Sequence, residues 1–555
     1  MLGLGPVLLA VLSGLTSSSA LTVSTHGSPS VVLDRGTFVG KHNGSADAYL
    51  GIPYAQPPVG NLRYRQAVAN EPYDGVYNVT DFGPACPQAV TPAISGTVPF
   101  IGDFETLFDA KFPSISNVGE DCLSINVWTP KDTKPGANLP VVVWLHNGAF
   151  VWGGSAQWDG EIIVDRSVQN REPVIFVSLN FRYVYFHMQL TLGSILTSFG
   201  FLPGQEAKDA GITNLGLRDQ RQAFRWIQQY IHQFGGDHTR VTLWGANAGG
   251  ISGAFHMLNN NGDTEGLFSG TWMQCGFPLP LNNYTQLQGT YDILVNLTSC
   301  KGSSDSLDCL RQLPYDDLAA AMFAIPTDER FGRWQVVIDD EFIVDQPETL
   351  LREGRVARVP YVVADTEDEG TQTALNLTAI TTDEDVATYL NVDGLPGLPQ
   401  DQIDLILELY PSDPAAGSPF GTGDLYNITP QYKRMAAIIG DLEFHAQRRF
   451  FLNETSHSQP AWSYLSKEFK LPFVGATDLS DLLNLYGPGD LTDYLINFAA
   501  HGTPNNGSGF FWPQWTKAEP HQLNIANDSS LSIEPDTFRS EGINLLMALN
   551  IQYPE

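Results

Sequence analysis

A run of small residues at Gly245–Gly250 is the part of the chain where residue types and spacing most directly predict chemistry. It follows the short apolar segment Val241–Trp244, and a strand, a sharp turn and a helix in this order form the layout of a nucleophile elbow. Elbows of this kind carry a serine at the tip, whereas this chain has Asn247 there. Because an amide has no oxygen that a neighbouring base can deprotonate, Asn247 cannot form an acyl-enzyme. The turn therefore predicts that two-step ester hydrolysis is absent.

Motifs along nearly the whole mature chain resemble those of the secreted carboxylesterase, cholinesterase and lipase family. Gly51–Gly60 resembles its first signature segment, Glu120–Val127 its second, and Asp368–Gly370 its acid-bearing loop. Further matches are Leu215–Gln220, Phe234–Asp237, Asn497–Ala499, Gly502–Asn505 and Trp512–Pro513. The resemblance implies an α/β class and the α/β-hydrolase fold, with a central, mostly parallel sheet, flanking helices and large loop or cap insertions.

The resemblance also implies roles for three positions, because the family uses Ser, Glu and His in that chain order. Glu369 occupies the acid position, after the apolar run Val359–Val363. The segment Pro472–Leu482 matches the pattern around the family's histidine, but Asp478 occupies the base position. Asn247 occupies the nucleophile position. We therefore expect a divergent member that lacks the catalytic Ser and His.

The segment His146–Phe150 is similar to the His-Gly-Gly-Gly-Phe loop that supplies part of the family's oxyanion hole. Two of the three glycines are replaced here, by Asn147 and Ala149. The resemblance implies that Gly148, Ala149 and Ala248 offer the backbone N–H groups. We expect a Cβ in a loop that needs glycine backbone angles to re-aim them.

Two polar residues in the helix after the elbow are considered as substitutes for the missing nucleophile and base. Ser252 lies five residues past Asn247 and is expected to pack or to bond back to its helix. His256 lies two to three turns into the same helix and is not expected to replace the missing base.

If the family geometry holds, Asn247, Glu369 and Asp478 converge at the base of a gorge that binds a small apolar molecule. Two carboxyls in a low-dielectric site do not both ionise easily, so we expect the pair to share a proton. The favoured interpretation is non-hydrolytic acid/base chemistry of the cyclisation, elimination or isomerisation type. Two alternatives stay open: a catalytically silent protein that binds a small molecule or a protein, and weak ester hydrolysis by an unconventional route.

Other classes of function are disfavoured. Glu369 and Asp478 supply only two metal ligands and no histidine is identifiable near them, so no metal site is predicted. No strand is followed by the glycine fingerprint of a nucleotide or flavin site, and no cofactor is expected. Sixty-one acidic against thirty basic residues give a net charge of −31, which argues against nucleic acid and anionic membranes as partners. The oligomeric state is left open.

Residues 1–20 form an apolar run that ends in small residues and predict a cleaved signal peptide, although the run lacks an initial Lys or Arg. Residues 21–555 contain no Pro/Ser linker or repeat and predict a single domain. No later segment is long and apolar enough to span a bilayer. The predicted location is the secretory pathway or the cell exterior.

Cysteines and glycosylation sequons fit that location. The resemblance pairs Cys86 with Cys122 and Cys300 with Cys309, and five cysteines suit an oxidising compartment. Cys275 is left over, and we expect it to be a buried small residue rather than a reactive thiol. The nine Asn-x-Ser/Thr sequons are at Asn43, Asn78, Asn283, Asn296, Asn376, Asn427, Asn453, Asn506 and Asn527.

Residues 183–199 are extra relative to the family, which joins the equivalents of Asn180–Arg182 and Gly200–Leu202 within a few residues. The insert is largely apolar and carries no turn chemistry, which is unusual for a loop. Two readings compete, a lid over the pocket and a retained intron in the gene model, and the second is favoured. The sequence of the transcript across this stretch decides between them.

Overall fold

A computed structural model describes residues 27–88, 115, 117–150, 152–183, 199–278, 280–325, 336–507 and 509–553. The predicted signal peptide at 1–20 and the insert between Tyr183 and Phe199 lie outside the described residues. The Tyr183 carbonyl accepts a hydrogen bond from the Gly200 N–H at 2.9 Å. The two flanks of the insert are therefore adjacent, and both readings of the insert stay predictions.

Fourteen strands form two sheets among the described residues. The larger has eleven strands in the order β14-β13-β12-β11-β10-β9-β7-β8-β6-β4-β3, and the smaller has the order β1-β2-β5. The strands are β1 Ser30–Leu33, β2 Arg35–Val39, β3 Lys41–Asn43, β4 Ala46–Pro53, β5 Asp74–Asn78, β6 Ser124–Pro130, β7 Leu139–Leu145, β8 Ile175–Leu179, β9 Gly236–Ala246, β10 Gly270–Gln274, β11 Tyr361–Thr366, β12 Ala461–Ser466, β13 His521–Ile525 and β14 Leu531–Pro535. The run from β8 to β13 pairs in parallel, and the pairs at either end are antiparallel. The predicted mostly parallel sheet is confirmed.

The central strands read as continuous apolar runs because both of their faces are covered. In β7, Val141 and Val143 join the hydrophobic core on one face, while Val142 and Trp144 join the core on the other. This alternation follows from side chains that point to opposite faces of a strand. One face packs against the helices Leu215–Tyr230 and Ala248–Leu258.

Helices cover the other face of the sheet, and others pack together in a separate hydrophobic cluster that includes Leu390, Ile406 and Ile439. Glu161–Gln169 and Asp490–His501 contact each other over the face that carries Trp144. The remaining α-helices are Gln205–Asp209, Gln288–Asn296, Ser306–Gln312, Tyr315–Phe323, Pro347–Arg352, Thr371–Ala374, Asp383–Tyr389, Gln400–Leu409, Tyr432–Gly440, Ala446–Thr455, Leu482–Leu485 and Ser540–Gln552. In the described part of the chain, no helix combines the length and the apolar composition needed to cross a bilayer.

Two disulfide bonds link the pairs that the family resemblance implied, Cys86 with Cys122 and Cys300 with Cys309. Cys275 is a free, buried thiol.

The sheet order also decides which loops meet. Strands β9, β10, β11 and β12 are neighbours and run in parallel, so their carboxyl ends lie along one edge. Ligand and catalytic groups of open α/β sheets gather outside this edge. The four loops that begin there carry Asn247, Cys275, Glu369 and Asp478.

Candidate active site

Asn247 lies at the turn between β9 and the helix Ala248–Leu258, with φ 51° and ψ −119°. Few residues other than glycine adopt this backbone conformation, and asparagine tolerates a positive φ better than most. Glycines allow neighbouring segments of the backbone to approach the turn closely. A Cβ on Gly249 would lie 1.9 Å from the Leu145 carbonyl oxygen, and one on Gly276 would lie 2.4 Å from the Asn247 carbonyl oxygen. The predicted elbow is therefore present as a strained turn.

The side-chain amide of Asn247 is held at both ends. Its Oδ1 accepts hydrogen bonds from the backbone N–H groups of Ala149 and Ala248, each at 2.8 Å. Its Nδ2 donates to Asp478 Oδ2 at 3.1 Å. Two of the backbone donors assigned to the oxyanion hole thus point at one place, and the amide oxygen of the chain itself occupies that place.

The oxyanion loop keeps its donor despite the substitutions. Ala149 has φ 51°, and its N–H reaches Asn247 Oδ1 although the residue carries a Cβ. The expected re-aiming of this group is therefore not seen. Gly148 also has a positive φ, and its carbonyl accepts the Trp152 N–H at 3.1 Å.

Glu369 and Asp478 lie beside Asn247 and are 2% and 7% exposed. Glu369 Oε1 accepts from the Thr366 N–H at 2.5 Å. The second oxygen of each carboxyl, Glu369 Oε2 and Asp478 Oδ1, is buried and makes no hydrogen bond of ordinary geometry within the described residues. The Cys275 thiol interacts with both carboxyls, and the Leu479 N–H interacts with that of Asp478. Buried polar atoms are nearly always bonded, so these two oxygens require an explanation.

Cys275, the residue after β10, completes the cluster. One ligand atom each of Cys275, Glu369 and Asp478 lies within 4.8 Å of the other two, and all three residues are buried. Among the described residues, this is the group placed to hold an ion. The sequence-based count of two ligands therefore missed one. Cys275 lies at the carboxyl end of β10, and β10 pairs with β11, the strand before Glu369. This pairing would have identified Cys275 as the third ligand.

Burial governs the electrostatics of this cluster. It raises the pKa of Asp478 to about 7, and the Asp481 charge adds to the rise. Burial likewise raises the pKa of Glu369 well above its usual range, with further rises from Asp478 and Asp365. Burial, and then the charges of Glu369 and its acidic neighbours, raise the pKa of the Cys275 thiol. Hydrogen bonding by this thiol lowers the pKa of both carboxyls, and the Leu479 N–H also lowers the pKa of Asp478. A thiol with a raised pKa is a poor nucleophile.

His146 supports the oxyanion loop. Its Nε2 is hydrogen-bonded to Tyr183 Oη at 2.5 Å, its Nδ1 to the Asn147 carbonyl at 2.9 Å, and its ring stacks on Phe181. Burial lowers the pKa of His146 to about 4, so the ring is neutral.

Ser252 and His256 face away from Asn247, toward one residue of the helix Leu215–Tyr230. Gln220 Nε2 donates to Ser252 Oγ at 3.1 Å, and His256 Nε2 contacts Gln220 Oε1 at 2.8 Å. Both residues are fully buried. Neither one is placed to act as a substitute nucleophile or base.

Comparison with known proteins agrees with the fold and with the motifs. The model of the carboxylesterase family matches residues 27–540. Lipase 4 of Diutina rugosa is 35% identical over 552 residues, which cover 95% of this chain and 97% of that protein. The secreted triacylglycerol lipase LIP1 of Gibberella zeae is 33% identical, with 93% of this chain and 90% of that protein covered.

Solved structures show the same architecture. Aspergillus niger EstA has a TM-score of 0.78 at 23% identity and covers 96% of this chain and 100% of its own. A thermophilic PNB esterase has a TM-score of 0.73 at 25% identity, with coverage of 93% and 99%. The α/β-hydrolase fold expected from the sequence is confirmed.

Proposed function

The chain belongs to the carboxylesterase family, and we propose that it is a member that has lost the acyl-enzyme route and binds a small apolar molecule without hydrolysing it. One observation carries the proposal. Asn247 occupies the nucleophile position, and its amide oxygen accepts the Ala149 and Ala248 N–H groups. The nucleophile position thus lacks an oxygen that a base can deprotonate, and its amide oxygen occupies the position of the oxyanion.

Both features oppose hydrolysis. A substrate carbonyl oxygen would have to displace Asn247 Oδ1 from the two N–H donors before they could stabilise a tetrahedral intermediate. Loss of a single oxyanion donor costs roughly 10²–10³-fold in rate. The base position adds to this, because Asp478 is engaged by Asn247 Nδ2.

The names of the relatives support the choice of ligand and location. They are lipases, including a secreted triacylglycerol lipase and secreted lipase 1 of Botryotinia fuckeliana. We infer a small apolar ligand, a binding site outside the carboxyl ends of β9–β12, and secretion guided by the predicted signal peptide.

Labelling with a fluorophosphonate probe tests the loss of the nucleophile, because the probe reacts covalently with activated serines. The native protein is expected to stay unlabelled, and the variant with both Asn247→Ser and Asp478→His is expected to be labelled at residue 247. Labelling of the native protein at Ser252 or any other serine would contradict the proposal.

A second function is favoured by the buried carboxyls of Glu369 and Asp478, each with one oxygen that makes no hydrogen bond of ordinary geometry within the described residues. Such a pair suits proton transfer on a bound small molecule. Nitrobenzisoxazole is a suitable probe: a carboxylate takes the proton from its ring carbon while the ring N–O bond breaks, leaving a nitrile and a phenolate.

Proton transfer by Asp478 predicts turnover of this probe above the rate with free acetate, lost on Asp478→Asn and kept on Asp401→Asn, which changes an exposed carboxyl. Turnover that survives Asp478→Asn, or a rate equal to that of acetate, would leave the silent binding function.

A further inference from the structure

The cluster of Cys275, Glu369 and Asp478 holds three potential ligands without a metal-binding motif in the sequence. We propose that these three side chains form a binding site for a zinc-type divalent cation. The inference goes beyond the proposed function, since an ion binds whether or not the site acts on a small molecule.

The positions of the three ligands are set by rigid elements. Cys275 directly follows β10, Glu369 lies in the loop after β11, and Asp478 lies in the loop after β12. These strands are hydrogen-bonded neighbours in the sheet. The three ligand atoms lie within 4.8 Å of one another. Tetrahedral bonds of about 2.3 Å to sulfur and about 2.0 Å to oxygen place ligand atoms roughly 3.3–3.5 Å apart, so binding an ion requires them to move closer together.

The unsatisfied oxygens are an independent indication of a ligand. Glu369 Oε2 and Asp478 Oδ1 lie in residues that are more than nine-tenths buried, and neither atom makes a hydrogen bond of ordinary geometry within the described residues. The Cys275 thiol carries one proton and therefore cannot satisfy both. A cation bound between them would satisfy both oxygens at once. A proton shared between the two carboxyls would also satisfy both oxygens, and it is distinguished from a bound cation by the titration described below, since the shared proton gives no thiolate-to-metal band.

The charges around the cluster have the sign that attracts a cation. Asp365 is paired with Arg448 and His445, but no ion pair of the described residues includes Glu369 or Asp478. Asp481 adds a further carboxyl, which is bonded to Tyr464 and Gln274 rather than to a cation. A divalent ion would offset this concentration of acidic groups in a low-dielectric site.

The ligand types select the class of ion. One thiolate and two carboxylates suit zinc, whereas magnesium and calcium prefer oxygen ligands alone. Three protein ligands leave one tetrahedral position for water or a bound molecule, which is typical of catalytic rather than structural zinc sites.

Titration of the full secreted protein with cobalt(II) after chelator treatment tests the site. Because the other four cysteines are in disulfides, a thiolate-to-cobalt charge-transfer band in the near ultraviolet can arise only from Cys275. We expect this band at a stoichiometric amount of cobalt, and displacement of cobalt by zinc. The zinc content of the protein as purified gives a second readout.

Matched variants separate the site from the acidic surface. Cys275→Ser nearly keeps the side-chain size, and we expect it to lose the band. We expect its affinity to fall by at least about 10–100-fold, the loss that removal of a mere partner of a ligand typically causes. Asp401→Asn, on the exposed face of the helix Gln400–Leu409, should leave both unchanged. A folded native protein with no charge-transfer band at any cobalt concentration, or a Cys275→Ser variant with unchanged affinity, would overturn the proposal. Neither result would alter the fluorophosphonate test of the lost nucleophile.

Discussion

At the scale of single residues, Asn247 has two opposing effects on the stability of its turn. Its side chain caps the helix Ala248–Leu258 and satisfies the Ala149 N–H. Its backbone, at φ 51° and ψ −119°, is in a conformation that favours glycine. The residue at this turn thus stabilises it through hydrogen bonds from its side chain.

Comparison of Asn247→Gly with Asn247→Ala isolates the backbone strain, because both variants lose the amide. We expect the glycine variant to be more stable by about 1–2 kcal/mol, the strain relieved less the extra entropy of glycine in the unfolded chain. Urea unfolding of the two variants gives the difference. Equal stabilities would mean that the turn is not strained.

At the scale of elements, the sequence allowed the strands and the elbow to be anticipated more readily than their neighbours. Apolar runs such as Val359–Val363 predict buried strands, and the small residues at Gly245–Gly250 predict a sharp turn. The order of the strands is not written in any one segment, since it depends on contacts between distant parts of the chain. For this reason the sequence could not show that Cys275 lies close to Glu369 and Asp478, because this proximity depends on which strands pair with β10 and β11.

The positions of Glu369 and Asp478 were predictable because each lies inside a motif shared with the family. The geometry of the oxyanion loop was not, because a Cβ at residue 149 was expected to turn the N–H away. The left-handed backbone at Ala149 keeps the N–H directed at Asn247. The catalytic roles of Asn247, Glu369 and Asp478 stay predictions.

The helix Pro347–Arg352 carries a buried acid whose ionisation should make stability depend on pH. Burial raises the pKa of Glu348 to about 7, and its Oε1 has no partner among the described residues. A raised pKa means that the contribution of Glu348 is full below its unfolded pKa and is lost as the pH rises through about 7.

Glu348→Gln should therefore raise the free energy of unfolding by up to about 3 kcal/mol at about pH 8 and change it little at about pH 4. Urea unfolding at both pH values measures the effect, with Glu408→Gln as an exposed control. A variant that is equally stabilised at both pH values, or destabilised at the higher one, would contradict this assignment.

At the scale of the whole molecule, a chain with a net charge of −31 buries several of its arginines. Arg448, in the helix Ala446–Thr455, donates to Asp365 of β11 and to both oxygens of Asp536 beyond β14. All three side chains have no exposed surface. This network ties the C-terminal part of the chain to the strand that leads to Glu369.

Arg448→Met leaves two buried carboxylates without their shared cation, so we expect a loss of about 3–5 kcal/mol in the free energy of unfolding. Arg35→Met removes an exposed pair with Asp74 and should cost less than about 1 kcal/mol. Chemical denaturation of both variants makes the comparison. Similar losses in the two variants would show that the buried network is not a special contributor.

Hydrolysis of short-chain p-nitrophenyl esters by the purified protein tests the central claim most directly, beside the variant with Asn247→Ser and Asp478→His. The native protein is predicted to show no turnover above the buffer rate, and the variant to gain turnover, because the fold and the donors of Ala149 and Ala248 are already in place. Native turnover at the rates usual for esterases, about 1–10³ per second, would contradict the account.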